Sequence, residues 1–309
     1  MPEPLLPFEN SIYEFLELAA KADSEDRRAE YLKRAEEERT RVYANLTPWE
    51  RVQLARHPKR PRMLDYTSRI LEEFIELHGD RAIGDDPAMV CGIGSFNGQT
   101  VFVAGQQKGT TTEEKVARNF GMAHPRGYRK ALRMFKMAER FGYPIITFVD
   151  TPAAHPGIEA EQRGQGLAIA QNLLECSRLN TPIMSIVLSE GGSGGALGIA
   201  MADWIVMFEY AVYMICPPER CAEILWRDVD KKEMAASALK VSAAEVKELG
   251  VIDKVLPEPN GGAHNDPNAA AKVLANEISM FLEGCRTGTW TREKRQEKFQ
   301  RMGRWMEVA

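Results

Sequence analysis

The chain has 309 residues, of which 44% are hydrophobic and 27% charged, and its formal net charge is −4. This is the composition of an ordinary globular protein, and the slightly acidic balance argues against nucleic acid or an anionic membrane as a partner. The first ten residues, MPEPLLPFEN, are acidic and proline-rich, so they do not have the basic start and apolar core of a signal peptide.

The five cysteines are an odd number in a large chain, which argues against a disulfide framework and favours a reducing, cytoplasmic location. Cys216 and Cys221 lack the second close pair that a zinc site needs, so we expect no metal in this chain. The longest apolar stretch, residues 196–216, contains Asp203 and Glu209. Each acid would cost roughly 2.5–3.5 kcal/mol at bilayer depth, so we interpret the stretch as a buried helix and strands.

The first predicted element is a helix over residues 11–43, because apolar residues recur at helical spacing from Ile12 onwards. Residues 21–41 carry interspersed charges of both signs. They fit either a solvated helix held by i,i+4 ion pairs or an arm that packs on a partner subunit. The stretch LARHPKRPR, residues 54–62, predicts a boundary, since proline ends helices.

A hairpin is predicted over residues 88–107, where two β-rich runs flank Asn97-Gly98, a pair suited to the positive φ angles of a type I′ turn. A helix over Tyr128–Phe141 follows. Its opposite face is basic, which favours a solvated face over a phosphate-attracting rim. The apolar stripe comprises Tyr128, Ala131, Leu132, Phe135, Ala138 and Phe141, and the basic face Arg126, Arg129, Lys130, Arg133, Lys136 and Arg140.

Residues 144–157, PIITFVDTPAAHPG, and 182–195, PIMSIVLSEGGSGG, share one layout: proline, a branched apolar strand, an acid and a turn of small residues. Helical patterns follow both, and the spacing leaves room for a crossover helix. If the two strands are parallel, both turns emerge at one edge of the sheet and face one crevice.

The later elements are strands, short helices and a closing helix. They are strands over 203–208 and 211–216, a helix from Pro217 through Trp226, a capping box at Ser242–Glu245 with a helix ending at Gly250, a strand over 251–256, a helix over 269–282 and a helical tail over 286–309.

The glycine-rich stretch after the second strand allows three interpretations. A flexible linker is disfavoured because apolar residues flank it on both sides. Residues 191–195 also match G-x-S-x-G, with Ser193 as a hydrolase nucleophile. His264 would be its base, and Asp228, Asp230 or Asp253 would orient the histidine.

The third interpretation is a backbone cradle for a negative charge. Glycines let the backbone approach a ligand closely, and the first N–H groups of a helix lack internal partners. Two such groups aimed at one point can hold an oxyanion, which suits a reaction through an enolate.

Eight motifs, in order over nearly the whole chain, resemble the carboxyltransferase α subunit of bacterial-type, multi-subunit acetyl-CoA carboxylase. They are LARHPKRP (54–61), HGDRAIGDDPAMVCGI (78–93), QKG…KVARNFGM…PRGYRKALRMFKMAERF (107–141), PIITFVDTP (144–152), EAEQRGQGLAIAQNLLE (159–175), SEGGSGGALGIA (189–200), CAEILWRD (221–228) and PEPNGGAH (257–264). This match is far more specific than a single glycine motif.

The resemblance implies an α/β fold of the crotonase (ClpP/crotonase) type, a superhelix of β-β-α units with an N-terminal helical arm and C-terminal helices. The expected domains are the arm over 1–60, the crotonase-type core over 61–260 and the C-terminal helical extension over 261–309.

The resemblance also implies the reaction: the carboxyl group of carboxybiotin, on a biotin carboxyl carrier protein, moves to acetyl-CoA and gives malonyl-CoA for fatty acid synthesis. It implies an α₂β₂ assembly with a β subunit that carries a zinc ribbon, alongside biotin carboxylase. A crotonase-like serine hydrolase and a non-catalytic assembly subunit remain the alternatives.

The family's glycine turn assigns the oxyanion cradle to the N–H groups of Gly194 and Gly195, and biotin contacts to Gly191, Gly192, Ala153, Ala154 and His155. Three residues depart from the family pattern. Ala153 stands where a glycine is usual and tolerates positive φ poorly, so we expect this loop to differ in shape from that of the family. His155 replaces a tyrosine, and Arg220 replaces a glycine.

Overall fold

The computed structural model describes residues 6–303. In this range the strands are β1 (Glu73–Glu76), β2 (Met89–Phe96), β3 (Gln99–Gln106), β4 (Ile145–Thr151), β5 (Ile183–Gly192), β6 (Trp204–Phe208), β7 (Val212–Met214) and β8 (Lys254–Leu256). The helices are α1 (Asn10–Ala20), α2 (Glu25–Ala44), α3 (Pro48–Ala55), α4 (Met63–Ile70), α5 (Thr112–Ala117), α6 (Pro125–Phe141), α7 (Ile158–Gln162), α8 (Gln165–Cys176), α9 (Ser193–Ala200), α10 (Pro218–Trp226), α11 (Lys232–Leu239), α12 (Ala243–Glu248), α13 (Pro267–Arg286) and α14 (Arg292–Arg301).

The strands form one sheet in the order β1-β2-β3-β4-β5-β6-β8. The first three strands are antiparallel, whereas the pairs from β3 to β8 are parallel. β7 also runs parallel to β5 and pairs with it beyond the part that β6 covers. Every residue of β4 and β5 is buried, as expected for central parallel strands. The two predicted parallel strands are thus confirmed.

The predicted hairpin is confirmed as β2 and β3, which pair from Met89–Gln106 to Phe96–Gln99. Asn97 and Gly98 have φ angles of 48° and 72°, the positive values that a type I′ turn requires. The predicted strands over 203–208 and 211–216 are also present, as β6 and β7.

The predicted helix over Tyr128–Phe141 is confirmed as α6, which begins earlier, at Pro125, and ends before Gly142. The predicted apolar stripe and basic face of this helix are each wrong at one residue. Phe141 is 59% exposed, beyond the edge of the core. Lys130 is fully buried because its ammonium lies 2.5 Å from the Asp85 carboxylate and donates to the Asp86 carbonyl.

The predicted single helix over 11–43 is wrong, because the chain breaks at residues 21–24 and forms α1 and α2, which pack on each other. The Ser24 hydroxyl accepts a hydrogen bond from the Arg27 amide at 3.3 Å and caps α2. Such a cap satisfies a free N–H group and so favours a new helix start.

Residues 56–62 are non-helical, as predicted, but they are packed into the molecule. Arg60 and Arg62 are 2% and 4% exposed, and they pair with Glu258 and Asp150. This segment therefore connects the N-terminal helices to the sheet through buried ion pairs. The expected domain boundaries stay a prediction.

The C-terminal elements largely follow the prediction. Ser242 and Glu245 form the capping box of α12, while β8 is shorter than the predicted strand. α14 covers part of the predicted tail, and residues 304–309, including Trp305, lie outside the described residues. Within residues 6–303, no helix has both the length and the hydropathy to cross a bilayer.

Candidate active site

Two turns meet at the carboxyl ends of β4 and β5. We call residues 152–157 the proline turn and residues 191–195 the glycine turn. Thr151, the last residue of β4, lies in register with Gly191 of β5, so both turns leave the sheet at the same edge. The sequence prediction that both turns emerge at one edge of the sheet is confirmed; the cleft described below is lined by the glycine turn and not by residues 152–157.

The two turns touch through their backbones, and two glycines make this contact possible. A Cβ added at Gly195 would lie 2.4 Å from the carbonyl carbon of Ala153 and from the amide nitrogen of Ala154. A Cβ added at Gly192 would lie 1.9 Å from the Pro152 carbonyl oxygen. No side chain fits at either place, so the glycine turn is a packed turn and not a flexible linker.

The glycine turn opens α9, whose N-terminus has no side-chain cap. The N–H groups of Ser193, Gly194 and Gly195 belong to the first helical turn, where backbone donors lack internal partners and carry partial positive charge. Ser193 has a φ of 53°, a left-handed conformation that is uncommon for a residue with a side chain. This strained residue lies where the chain turns from β5 into α9, and its backbone conformation determines the direction in which α9 and its first amides leave the strand.

A cleft of about 450 Å³ is lined by Ser193 and Gly194. Its volume lies within the range of small-molecule sites, and its walls are mostly apolar. The other lining residues are Leu197, Tyr213, Met214, Ile215, Leu239, Lys240, Val246, Leu249 and Val251.

Tyr213 and Lys240 bring polar groups to this cleft. The Tyr213 ring packs on Gly191, where an added Cβ would lie 2.6 Å from ring carbon Cδ2. Burial raises the pKa of Tyr213 to about 12, so its hydroxyl keeps its proton at neutral pH and can donate a hydrogen bond. The Lys240 ammonium lies 3.8 Å from the Glu245 carboxylate.

The structure separates the predicted site residues into groups. Gly194 lines the cleft, and Gly195 lies buried behind it against the proline turn. Gly191 and Gly192 are buried in β5 and do not line the cleft. Because they lack side chains, the Tyr213 ring can pack on Gly191 and the Pro152 carbonyl can pack on Gly192.

The proline turn approaches the site through its backbone. Thr151 Oγ1 donates to the Ala153 carbonyl at 2.6 Å, and Ala153 is not among the residues with positive φ, so alanine fits this loop without backbone strain. The His155 ring lies 2.9 Å from the Asn119 amide nitrogen and packs at a tilt against the His124 ring, with 4.2 Å between centroids.

The serine hydrolase hypothesis is not supported, because its residues do not come together. His264 is 4% exposed and packs on His57 at 4.1 Å, beside the Glu9 carboxylate. It does not line the cleft that contains Ser193, and Asp253 pairs with Lys298.

Within the described residues there is no group of three or more metal-ligating side chains, and Cys216 and Cys221 are free thiols. Arg220, one of the three departures, is a surface residue whose side chain is 71% exposed and pairs with Glu223.

Sequence reasoning missed a buried charge cluster behind the two turns. Asp150, which precedes Thr151 at the end of β4, and Glu190, which directly precedes the glycine turn, are 0% and 3% exposed. The Lys108 ammonium lies 2.9 Å from Asp150 and 2.7 Å from Glu190. The sequence does contain a signal for this cluster: an acid ends each of the two apolar strands, and a buried carboxylate needs a cation as its partner. The sequence alone does not indicate which lysine or arginine is that partner.

Comparison with known proteins places the chain in a family. The family described as "Acetyl co-enzyme A carboxylase carboxyltransferase-like" matches residues 2–303. The acetyl-coenzyme A carboxylase carboxyl transferase subunit alpha of Cyanothece sp. (strain PCC 7425 / ATCC 29141) is 50% identical over 99% of this chain and 96% of its own. The protein of that name from Acaryochloris marina (strain MBIC 11017) is 50% identical over 97% of this chain and 94% of its own.

A solved structure shows the same fold. Transcarboxylase 12S, with methylmalonyl-coenzyme A and methylmalonic acid bound, superposes with a TM-score of 0.61 at 18% identity. The match covers 74% of this chain but only 42% of the transcarboxylase chain. The predicted crotonase-type fold class is thereby confirmed. With its motifs in order and its near-full-length matches, this chain belongs to the family of acetyl-CoA carboxylase carboxyltransferase α subunits.

Proposed function

We propose that this chain, as one subunit of a larger enzyme, transfers a carboxyl group from biotin on a carrier protein to acetyl-CoA and so forms malonyl-CoA. The observation that carries this proposal is the uncapped start of α9, held against the proline turn and open to a cleft. That arrangement presents backbone donors without a reactive side chain.

The residues fit the ureido ring of biotin. The cleft is large enough for a small heterocycle, its walls are mostly apolar, and Ser193 and Gly194 of the glycine turn line it. We assign Gly191 and Gly192 to the close packing behind the site, and Ala153, Ala154 and His155 to the side of the biotin site formed by the proline turn.

The chemistry follows from the donors. Bound biotin would supply a ureido oxygen that can carry negative charge and a ring nitrogen that can accept a proton. The N–H groups of Gly194 and Gly195 would stabilise that negative charge, and one such donor typically accounts for about 10²–10³-fold in rate. No side chain of this chain need act as the general base.

The open side of the cleft supports a partner subunit. Ile215 and Leu249 line the cleft and are 75% and 61% exposed, and apolar side chains around an open site are typical of surfaces that another protein covers. We propose a β subunit there, with the zinc ribbon and most of the acyl-CoA site, in an α₂β₂ complex. The carrier protein and biotin carboxylase would work with it in the cytoplasm.

The test uses the chain co-purified with its β subunit and measures decarboxylation of malonyl-CoA with free biotin. Gly194→Pro removes one N–H group in the first turn of α9, where proline suits a helix. Gly194→Ala is the matched control, because it adds a Cβ but keeps the N–H group; that Cβ would meet only Ile169, at 3.4 Å.

We expect the proline variant to assemble and to lose about 10²–10³-fold in rate, while the alanine variant stays near wild type. Equal activity of the two assembled variants would refute the cradle. An assembled wild-type complex without turnover would favour the non-catalytic alternative.

A further inference from the structure

The charge cluster behind the two turns is centred on Lys108. This residue follows β3, and its ammonium bridges Asp150 of β4 and Glu190 of β5 at 2.9 Å and 2.7 Å. Asp150 directly precedes Thr151, and Glu190 directly precedes the glycine turn. One cation thus joins the two strands at the points where the proline turn and the glycine turn begin.

The lysine is held firmly in this position. Its side chain is 11% exposed, and its Cγ packs under Gly121, where an added Cβ would lie 2.8 Å away. Gly121 has a φ of 79°, so this position requires glycine both for its backbone conformation and for the close approach of the lysine side chain. Lys108 itself does not line the cleft.

The surrounding charges balance. Arg62 lies 3.0 Å from Asp150, Arg56 lies 2.7 Å from Glu190 and 2.5 Å from Glu219, and Arg60 pairs with Glu258. Four cations therefore face four carboxylates. The cations are Arg56, Arg60, Arg62 and Lys108, and the carboxylates are Asp150, Glu190, Glu219 and Glu258.

We propose that Lys108 is a positioning residue: by holding Asp150 and Glu190 on one ammonium, it sets the separation of the two turns and thereby the direction of the Gly194 and Gly195 amides. This inference rests on the proposed function for its effect on rate. Its structural part, the spacing of the turns, does not depend on which substrate binds.

Removing the lysine has a pH-dependent consequence. Burial by itself raises the pKa of Asp150 and of Glu190, but Lys108, with Arg62 and Arg56, lowers both below their usual values. In Lys108→Met the two pKa values rise, and the carboxylates repel each other when both are ionised. The turns should therefore separate more as the pH rises, the opposite of ordinary acid sensitivity.

The experiment compares Lys108→Met, the double variant Lys108→Met/Glu190→Gln and Lys130→Met in the complex with the β subunit. Lys130 is the matched control, since it is a fully buried lysine that pairs with Asp85 and with neither Asp150 nor Glu190. We expect kcat of Lys108→Met to fall by about 10²-fold at high pH, the cost of a misplacement of about 1 Å, and by less at about pH 6.

The double variant removes the repulsion, so its kcat should recover and lose the pH dependence. Lys130→Met should lower the unfolding temperature but leave the pH profile of kcat unchanged. A wild-type pH profile in Lys108→Met would overturn the proposal, as would a loss of kcat that merely parallels unfolding in both lysine variants.

Hydrogen exchange separates this inference from the proposed function. In Lys108→Met, peptides covering residues 150–157 and 190–197 should exchange faster than in wild type, while those of the hairpin β2–β3 stay unchanged. This result is expected even if the complex has another activity, whereas unchanged exchange at both turns would refute the positioning role. If Lys108→Met does not fold, the double variant, which has no excess charge, is compared with Glu190→Gln. Equal exchange at the two turns is then expected because the repulsion is gone, and faster exchange in the double variant would refute a role of Lys108 through the two acids.

Discussion

Gly194 and Gly195 are neighbours in the chain but meet different surroundings. A methyl group at Gly194 would make an ordinary contact with Ile169, at 3.4 Å, whereas at Gly195 it would collide with the backbone of the proline turn at 2.4 Å. We therefore expect Gly195→Ala to lower kcat by about 10²-fold or more, because the turns must move apart. Gly194→Ala should stay within a few-fold of wild type. Steady-state kinetics of the assembled complex would check this contrast, and similar losses in both variants would contradict the backbone contact.

Ser193 contributes its backbone conformation and not its hydroxyl. Since no histidine among residues 6–303 lines the cleft with it, we expect Ser193→Ala to keep substantial activity and serine-directed phosphonates not to label the chain. A β-branched residue is far less compatible with a φ of 53°, so Ser193→Val should lower kcat more than Ser193→Ala. Labelling at Ser193 would restore the hydrolase hypothesis.

The segment between α3 and α4 holds the sheet through buried ion pairs. Arg60 donates to both oxygens of Glu258 at 2.7 Å and 2.8 Å, and these side chains are 1% and 0% exposed. Arg60→Met leaves a buried carboxylate without its cation, so the free energy of unfolding in urea should fall by about 3–5 kcal/mol. The double variant Arg60→Met/Glu258→Gln should recover a substantial part of this loss. A loss in Arg60→Met of under about 1 kcal/mol would show that the pair does not tie the segment to the sheet.

Much of the fold at the level of elements was predictable because local signals and tertiary structure agree. Asn97-Gly98 specifies its own turn, and the apolar runs of β4 and β5 are typical of buried parallel strands. The break between α1 and α2 was missed, because helical periodicity continues on both sides of a short capped turn. Lys130 was misassigned because its partner, Asp85, lies far away in the sequence.

For the whole molecule, His57 links stability to pH. Burial, followed by the nearby His264, lowers the pKa of His57 to about 4, even though Glu9 acts in the opposite direction. The ordinary value is about 6.5, so between about pH 6.5 and about pH 4 the unfolded chain binds more protons than the folded one. Stability contributed by the neutral His57 is therefore complete above that range and is lost as the pH falls, by up to about 3 kcal/mol.

The variant His57→Gln should flatten this dependence, measured as the free energy of unfolding against pH. His78→Gln is the matched control for replacing an imidazole by an amide, because the His78 side chain is 63% exposed; His57→Gln should change the slope more than His78→Gln does. An unchanged slope in His57→Gln would assign the acid sensitivity to other groups.

The site was predictable to the extent that it depends on backbone. The glycine turn and its pairing with the proline turn follow from two similar strand–turn units, and a glycine-rich helix start is a familiar anion cradle. Tyr213, Lys240 and Lys108 were not predictable. Tyr213 and Lys240 reach the cleft through the register of β7 with β5 and the bridge between Val212 and Ser242, whereas Lys108 reaches the charge cluster through the packing after β3.

The most direct measurement is a structure of the complex with its β subunit and biotin bound. We expect the ureido oxygen within about 2.7–3.1 Å of the amide nitrogens of Gly194 and Gly195. A ureido oxygen held by other groups, with these two amides directed away from it, would refute the backbone cradle.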